Sequence, residues 1–293
     1  HYGSALRAAP QPVPPDLVPE LRRAQAATER YRAEFEASLR EGLRNAGALE
    51  GGNDRFSRAF EVLLGKRQVY LQQPRFFYYP ELPNIQFYER AAFPWLDAVE
   101  AATDAIREEL LGVMTGQEGF VPYLQRDPTR PQTDRYGLLD SLDWSAFYLV
   151  KNGAAVPDAQ ARCPRTMQAL SVAPLCDVPG RSPSVLFSVL KAGARIPPHH
   201  GFVNTRLICH LPLIVPQGCG FRVGNDTRAW EEGRAWAFDD TIEHEAWNTG
   251  KETRVILLFD VWRPELSDEE RRKVAALFAA IDAHQGPGQE WTA

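Results

Sequence analysis

Apolar residues recur every three or four positions in three stretches of the chain, and this spacing predicts amphipathic helices. These helices are predicted over residues 15–43, 53–72 and 94–114. A last helix is predicted to begin at Ser267, because Glu270 three positions later completes a capping box. Helices are thus expected on both sides of the region described next.

From Trp144 the pattern changes to short segments rich in branched and aromatic residues, which proline, glycine and asparagine separate. Three of them read VLFSVL, TRLICHLPLIV and RVILLFDVW. Such segments are typical of strands in an antiparallel barrel or a double sheet. We therefore predict an α+β fold with a mainly β core, in which a cupin-like jelly roll lies between N-terminal helices and a C-terminal helix.

These patterns predict three regions. A Pro/Ala-rich lead-in and its amphipathic helix occupy residues 1–50, and a helical and irregular region that packs on the barrel occupies residues 51–140. The barrel and its closing helix occupy residues 141–285. Small barrels of this kind often hold one ligand or metal, so candidate site residues are expected in the third region.

Composition and charge narrow the class of protein. The chain has 293 residues, of which 44% are apolar and 24% charged, as in ordinary globular proteins. A net charge of −5 with scattered basic residues argues against a nucleic-acid binder. No apolar stretch approaches the roughly 18 residues of a membrane span or resembles a signal peptide. We therefore expect a cytoplasmic protein without a membrane partner. Cys163 and Cys176 could form a disulfide, although free buried thiols are expected in that setting.

Histidines cluster in one part of the chain. Three of the six lie in IPPHHGFVNTRLICH, as His199, His200 and His210, and His244 follows in IEHEAW. A neutral imidazole is the commonest metal ligand in proteins. Histidines on two strands of a barrel strengthen the case for a metal site, but their spacing alone does not decide it. The alternative is a set of core or surface histidines that hydrogen-bond within the fold.

The carboxylate that usually completes a two-histidine iron(II) site is missing. The common pattern is His-X-Asp/Glu, but Gly201 stands at the third position. On a regular strand, Glu243 and Glu245 would point away from a metal held by His244. Asp240 would lie roughly 13 Å along that strand, within reach only through a sharp bend. We therefore predict two histidine ligands with water in the third place, for which the glycine leaves room.

Two further residues are candidates for binding a dicarboxylate. Arg254 opens the apolar strand RVILLFDVW, which suggests a partly buried guanidinium with a fixed anionic partner. A solvent-facing arginine at a strand start is the alternative. Ser188 is a lone polar residue in VLFSVL, where it serves either as core filler or as a ligand contact.

The stretch from about Trp144 to Leu266 resembles the catalytic domain of the aspartyl/asparaginyl β-hydroxylase family. The segments that carry the resemblance are FSVLKAGARIPPHHGFVNTRLICHLPLIVP, GCGFRVGNDTRAWEEGRAWAFDDTIEHEAWN and RVILLFDVWRPEL. FDDTIEHEAWN followed by DVWRPEL is close to a family signature. The resemblance implies a double-stranded β-helix and an enzyme that uses iron(II), 2-oxoglutarate and O2. It also implies hydroxylation of the β-carbon of an Asp- or Asn-type residue or of a related small molecule.

The resemblance assigns roles to individual residues. It implies that His199 and His244 are the iron ligands and the catalytic residues. It places Ser188 and Arg254 at the distal carboxylate of 2-oxoglutarate and His210 at the metal end of that cosubstrate.

The substrate side of the site is expected to include Arg206, Ile208 and Trp144. On a regular strand Asn204, Arg206, Ile208 and His210 share one face, which should line the cleft. Animal members of the family carry an arginine at the position of Ile208, whereas Arg206 is retained. The expected partner is a peptide, an amino acid or a natural-product intermediate.

Two other functions stay open. A barrel of this type can serve as a non-catalytic metal- or ligand-binding module, although a decayed site usually loses some of the residues retained here. An iron- and 2-oxoglutarate-dependent halogenase also needs the carboxylate position empty, which Gly201 satisfies. His200 falls at a non-ligand position. The sequence leaves the substrate and the oligomeric state open.

Overall fold

The computed structural model describes residues 14–49, 54–116, 119–126, 134 and 136–285. The chain divides into two compact units, His1–Val69 and Tyr70–Ala293. This division falls inside the predicted region 51–140. The predicted lead-in, up to residue 13, lies outside the described residues.

The first unit contains helices α1 (Val18–Asn45) and α2 (Arg55–Leu63). Asp54 caps α2, because its carboxylate accepts a hydrogen bond from the Ser57 amide at 2.7 Å. The prediction that this second helix reaches residue 72 is wrong. The helix ends at Leu63, and Gly65 follows with a φ of 70°, which ends a helix.

Within the described part of the second unit, the strands form two antiparallel sheets. They are β1 (Val121–Pro122), β2 (Trp144–Lys151), β3 (Ala154–Ala155), β4 (Val185–Leu190), β5 (Arg195–His199), β6 (Arg206–Ile214), β7 (Cys219–Val223), β8 (Asp226–Arg228), β9 (Trp236–Phe238), β10 (His244–Asn248) and β11 (Arg254–Trp262). The larger sheet has the order β1-β2-β4-β11-β6-β9, with β3 paired to β2. The smaller sheet has the order β5-β10-β7-β8.

The two sheets pack against each other through a mainly apolar interior. Ile208 and Ile256 of the larger sheet share one buried cluster with Ile196, Phe221 and Ala246 of the smaller sheet. Successive strands from β4 to β7 alternate between the sheets. This arrangement is a cupin-like jelly roll, and the predicted fold class is confirmed.

Helices precede, interrupt and follow the jelly roll in sequence. Helices α3 (Leu96–Ala101) and α4 (Thr103–Gly116) come before β2, α5 (Pro157–Arg162) and α6 (Pro164–Leu170) lie between β3 and β4, and α7 (Asp268–Gln285) follows β11. Ala102 separates α3 from α4, so the single helix predicted over residues 94–114 is two helices. The predicted capping box is confirmed, because the Ser267 amide donates to the Glu270 carboxylate at 2.8 Å and the Glu270 amide donates to the Ser267 hydroxyl at 3.3 Å. None of the described helices is long and apolar enough to cross a bilayer.

Helices cover one face of the larger sheet and leave the other to the site. Val99, Ile106 and Leu110 are fully buried in one cluster with Phe187 and Leu257 of that sheet. Burial on both faces explains why these strands read as nearly continuous apolar runs. Polar side chains inside the jelly roll therefore stand out against an apolar background.

The four cysteines are free thiols. The disulfide considered between Cys163 and Cys176 is absent, and both residues are fully buried. Burial raises the pKa of the Cys163 thiol to about 12. Cys163 and Cys176 therefore act as small apolar core residues.

Candidate active site

A cavity lined by residues of both sheets lies inside the jelly roll. Every residue that the sequence predicts for the site lines this cavity. These residues are Trp144, Ser188, His199, Arg206, Ile208, His210, His244 and Arg254. Much of the remaining wall is aromatic, with Phe221, Trp230 and Phe238 among its members. The fold therefore brings the predicted residues into one place.

His199 and His244 form a pair at one edge of the smaller sheet. His199 ends β5, His244 begins β10, and the two are opposite each other in the antiparallel ladder. Their ring centroids are 4.0 Å apart. Each Nδ1 lies close to a backbone oxygen two residues earlier, at 2.7 Å from Pro197 and 3.0 Å from Ile242. Because a carbonyl oxygen only accepts, each Nδ1 carries the proton and each Nε2 keeps a free lone pair.

Burial keeps both imidazoles neutral. It lowers the pKa of His199, and the charges of His200 and Arg75 act in the same direction. Burial and the neighbouring His199 hold the pKa of His244 well below its usual value. Two neutral imidazoles with fixed tautomers are prepared to ligate a divalent metal.

A carboxylate from another part of the chain lies beside Gly201. Residues 240–242 turn before β10 begins, and the Gly201 amide donates to the Asp240 backbone oxygen at 2.6 Å. A Cβ at position 201 would overlap the Asp240 carboxylate. The chain therefore makes the sharp bend that the sequence argument required before Asp240 could approach this place, although among the described residues Asp240 does not complete a three-ligand cluster with the histidines. The room expected at Gly201 for water is largely taken by this side chain.

Asp240 is a buried group with unused hydrogen-bonding capacity. Burial raises the pKa of its carboxyl to about 7, against the lowering influence of Arg206. Its Oδ2 accepts a long hydrogen bond from Arg206 at 3.5 Å, and its Oδ1 has no partner in the described structure. Across the described ranges, no cluster of three or more His, Cys, Asp or Glu side chains is arranged to hold a metal.

The two glutamates next to His244 are engaged elsewhere. The Arg222 guanidinium donates to Glu245 at 2.5 Å and to Glu243 at 2.8 Å, and Arg195 also pairs with Glu245. Neither glutamate lines the cavity. This confirms that alternation along β10 turns them away from the histidine pair.

One buried arginine of the fold pairs with no acidic side chain in the part of the chain that the structure describes. Arg181, Arg254 and Arg263 are among the largest fully buried side chains. Arg181 and Arg263 each pair with an aspartate. Arg254 pairs with no acidic side chain of the described residues, and its Nε has no hydrogen-bond partner. No acidic side chain of the described residues is therefore the fixed anionic partner suggested for it. Burial lowers the pKa of Arg254 to about 10.

Other donors near Arg254 also lack acceptors. The Arg254 guanidinium lies 4.9 Å from the centre of the Trp230 ring, and the buried Nε1 of Trp230 has no acceptor in the described structure. Arg254 Nη1 donates to the Ser188 backbone oxygen at 3.2 Å. The His210 ring lies 6.1 Å from the Trp230 ring, and its Nδ1 is also without a partner. A buried cation with unsatisfied donors around it is an environment that favours an anion.

The three residues predicted to contact the substrate differ in charge and in the surface they give the cavity. Arg206 is committed to the fold, because its Nη1 donates to the Asp260 carboxylate at 2.5 Å. Ile208 is 7% exposed and gives the wall an aliphatic surface. Trp144 lies against Tyr123 with ring centroids 4.0 Å apart. The substrate side of the cavity is therefore mainly apolar.

The predicted face of β6 is shorter than expected. The strand begins at Arg206, and Asn204 lies in the turn before it. The Asn204 side chain accepts a hydrogen bond from the Tyr79 amide at 2.7 Å and donates one to the Tyr79 backbone oxygen at 2.9 Å. The placement of Asn204 in the cleft is therefore wrong, because the residue holds a neighbouring segment instead.

Sequence reasoning set aside one polar residue of the cavity, Asp240, and did not identify another, Trp230. The FDDT stretch before β10 carried a usable signal, since consecutive aspartates followed by threonine favour a turn. A turn there would have brought Asp240 towards the histidines. Nothing in the sequence around Trp230 indicates that it would meet Arg254.

The fold and its interior define a cupin-like protein with an internal small-ligand site. The sequence profile of the aspartyl/asparaginyl β-hydroxylase family matches residues 100–264. The chain belongs to this family. The match includes all eight predicted site residues and the jelly roll from β2 to β11.

Curated relatives are similar over part of their length. Aspartate beta-hydroxylase domain-containing protein 2 of Homo sapiens is 30% identical over 212 residues, which cover 71% of this chain and 56% of the relative. Aspartyl/asparaginyl beta-hydroxylase of Homo sapiens is 36% identical over 174 residues, which cover 59% of this chain and 21% of the relative. Ornithine lipid ester-linked acyl 2-hydroxylase of Rhizobium tropici is 35% identical over 189 residues, which cover 64% of this chain and 63% of the relative. The chain thus spans less than two thirds of each.

Solved cupin structures resemble the chain only loosely. The Cnp3 cupin domain of Schizosaccharomyces pombe gives a TM-score of 0.25 at 15% identity, over 37% of this chain and 65% of that one. The description of the fold therefore rests on the strand order and pairing given above.

Proposed function

We propose that the protein is an iron(II)- and 2-oxoglutarate-dependent dioxygenase that hydroxylates an aliphatic carbon. One observation carries this proposal: two neutral histidines and a buried arginine without an acidic partner line the same cavity. The imidazoles offer ligands for one divalent metal, and the arginine offers a counter-charge for one carboxylate. Membership of a hydroxylase family supports the reaction type.

The histidine pair fits a metal ion. Both Nδ1 atoms face backbone oxygens, so the Nε2 lone pairs of His199 and His244 are available, and the 4.0 Å between ring centroids lets both contact one ion. The free Oδ1 of Asp240 would accept a hydrogen bond from a water on that metal. The Asp240 side chain also occupies the space beside Gly201 that a chloride would need, which favours hydroxylation over halogenation.

The other charged part of the cavity fits a dicarboxylate. Arg254 would pair with the distal carboxylate of 2-oxoglutarate, and the Ser188 hydroxyl and the Trp230 N–H would donate to it. His210 would donate to the carboxylate nearer the metal. Each assignment gives an acceptor to a donor that is buried and unsatisfied or that lines the same cavity.

The chemistry divides between bound groups and protein residues. Iron(II) and 2-oxoglutarate, when bound, would supply the oxidation, in which O2 converts the cosubstrate to succinate and CO2 and one oxygen atom enters a substrate C–H bond. The protein's residues bind, orient and exclude water. Arg254 and His210 fix the two ends of the cosubstrate, and the aromatic rings of Phe221 and Phe238 keep the surroundings dry.

The substrate is proposed at the level of its class. One relative is named for aspartyl and asparaginyl residues and another for the acyl chain of ornithine lipid. The aliphatic Ile208 and the committed Arg206 leave β6 without a free cation for an acidic side chain. Candidates are therefore an Asp- or Asn-type residue in a peptide, an amino acid or natural product, and an acylated compound.

Succinate formation tests the proposal directly. The purified protein should convert 2-oxoglutarate to succinate in the presence of iron(II) and O2, and an added substrate should gain one oxygen by mass spectrometry. His199→Ala should abolish both, whereas His200→Ala should retain them, because His200 does not line the cavity. Metal binding without any succinate would favour a non-catalytic binding module instead.

A further inference from the structure

Residues 72–79, which we call the strap, form backbone hydrogen bonds with two loops that carry the cavity residues Gly201 and Asp240. The Gln73 amide donates to the Thr241 oxygen at 2.8 Å. The Arg75 amide donates to the Gly201 oxygen at 2.9 Å. Two separate loops thus hold the strap beside the histidine pair. The strap lies outside the region that matches the family profile, which begins at residue 100.

The Arg75 side chain places a positive charge next to the cavity. It is exposed, and its guanidinium lies 4.9 Å from the centre of the Phe202 ring. Phe202 is buried and lines the cavity. Within the described residues, no carboxylate forms an ion pair with Arg75.

The other cations of the cavity are committed. Arg206 donates to Asp260 at 2.5 Å, and Arg254 is fully buried between β4 and Trp230. Ile208 carries no charge. Arg75 does not line the cavity itself but stacks on the cavity residue Phe202, is exposed to solvent, and forms no ion pair with a carboxylate of the described residues.

We propose that Arg75 binds a carboxylate of the substrate at the mouth of the cavity. This inference rests on the proposed function and deepens it, because it selects substrates that carry a negative charge near the oxidised carbon. An arginine fork binds a carboxylate through two parallel hydrogen bonds. Stacking on Phe202 orients the guanidinium before the substrate arrives, which reduces the entropy lost on binding. The carboxylate could belong to a peptidyl aspartate or to the head group of an acylated amino acid.

Binding of matched probes separates this inference from the proposed reaction. The full chain is loaded with zinc, a redox-inert stand-in, and titrated calorimetrically with two pairs of compounds. One pair is a short peptide with a central aspartate and the same peptide with asparagine. The other pair is N-octanoylglycine and its carboxamide. Because no turnover is involved, failure to form succinate with iron would count against the proposed function and leave this measurement interpretable.

The expected result is a preference for the charged member of at least one pair by about tenfold or more. Arg75→Ala should reduce that preference to near unity, and Arg272→Ala, the loss of an exposed arginine on α7, should leave it unchanged. Arg75→Lys should keep part of the preference for the charged probe. Complete loss of the preference in this variant would support a contact through two hydrogen bonds. The pair that shows the preference identifies the source of the carboxylate. Equal binding within both pairs, no binding, or a preference that survives Arg75→Ala would overturn the inference.

Discussion

Arg254→Met should abolish 2-oxoglutarate binding and leave the unliganded protein about as stable as the wild type. The Arg254 side chain is 1% exposed and has no acidic partner in the described residues. Methionine fills a similar volume with a flexible apolar chain and needs no counter-charge. Binding and stability should therefore respond differently to this one substitution.

Two opposing effects set the magnitude. Burial lowers the pKa of Arg254 from 12.5 to about 10, so the folded state disfavours the charged form that is present at pH 7. That depression corresponds to on the order of 3 kcal/mol, which methionine would recover. Loss of the contact with Trp230 and of the hydrogen bond to the Ser188 oxygen removes roughly 1–3 kcal/mol. The unfolding temperatures of the two unliganded proteins should thus agree within a few degrees.

Calorimetric unfolding with and without 2-oxoglutarate provides the measurement. A ligand at a hundred times its Kd stabilises the folded state by about 2.7 kcal/mol, and this increment should vanish in Arg254→Met. Arg263→Met is the matched control, because Arg263 is equally buried but pairs with Asp239 at 2.5 Å. Breaking that pair should destabilise the protein by about 3–5 kcal/mol. A full ligand increment in Arg254→Met, or a destabilisation as large as that of Arg263→Met, would refute the reasoning.

Further predictions address the metal, the glycine and the helical layer. His199→Ala should lower zinc affinity in calorimetric titration by at least about a hundredfold, whereas His200→Ala should leave it unchanged. Gly201→Ala should destabilise the protein by about 1–3 kcal/mol in urea unfolding, because the new Cβ meets the Asp240 carboxylate; equal stability would show that this carboxylate moves freely. Burial would raise the pKa of Glu109, but hydrogen bonds from the start of α6 hold it below 4.5. The ionised Glu109 carboxylate therefore stabilises the folded state above about pH 4.5, and this stabilisation is lost as the pH falls. Glu109→Gln should lower the free energy of unfolding by about 2–3 kcal/mol at pH 7. The difference in stability between this variant and the wild type should become smaller in acid.

The sequence predicted the jelly roll because its strands are apolar on both faces and are separated by clear breaking residues. The same periodicity failed at Ala102, where a single predicted helix is two, and beyond Leu63, where the apolar spacing continued but the helix did not. Helix α5 was not predicted because it spans only Pro157–Arg162, too short for a repeating apolar pattern to appear. Local spacing therefore identified long elements and missed short ones.

The sequence predicted which residues line the cavity but not which charged groups they would meet there. Position along β5 and β10 was sufficient to pair His199 with His244, because the ladder places them opposite each other. The state of Arg254 depends on which acids meet it in space, and sequence spacing carries no information about that. The turn that brings Asp240 against Gly201 is the sharp bend that the argument from strand rise required. Long-range contacts thus decided what the predicted residues can do.

The three buried arginines suggest how this cavity obtains selectivity. Arg181 and Arg263 are neutralised by aspartates and contribute to the fold, whereas the charge of Arg254 is left for a ligand. An uncompensated buried charge makes the empty site less stable than a neutralised one, so an anion that arrives there gains both the ion pair and the relief of that penalty. A neutral competitor gains neither. A cosubstrate carboxylate inside the cavity and a substrate carboxylate at its mouth, at Arg75, would then be recognised by cations that differ in burial. The deep contact should be nearly insensitive to salt and the exposed one clearly weakened by it, which titration of each ligand at low and high ionic strength would reveal.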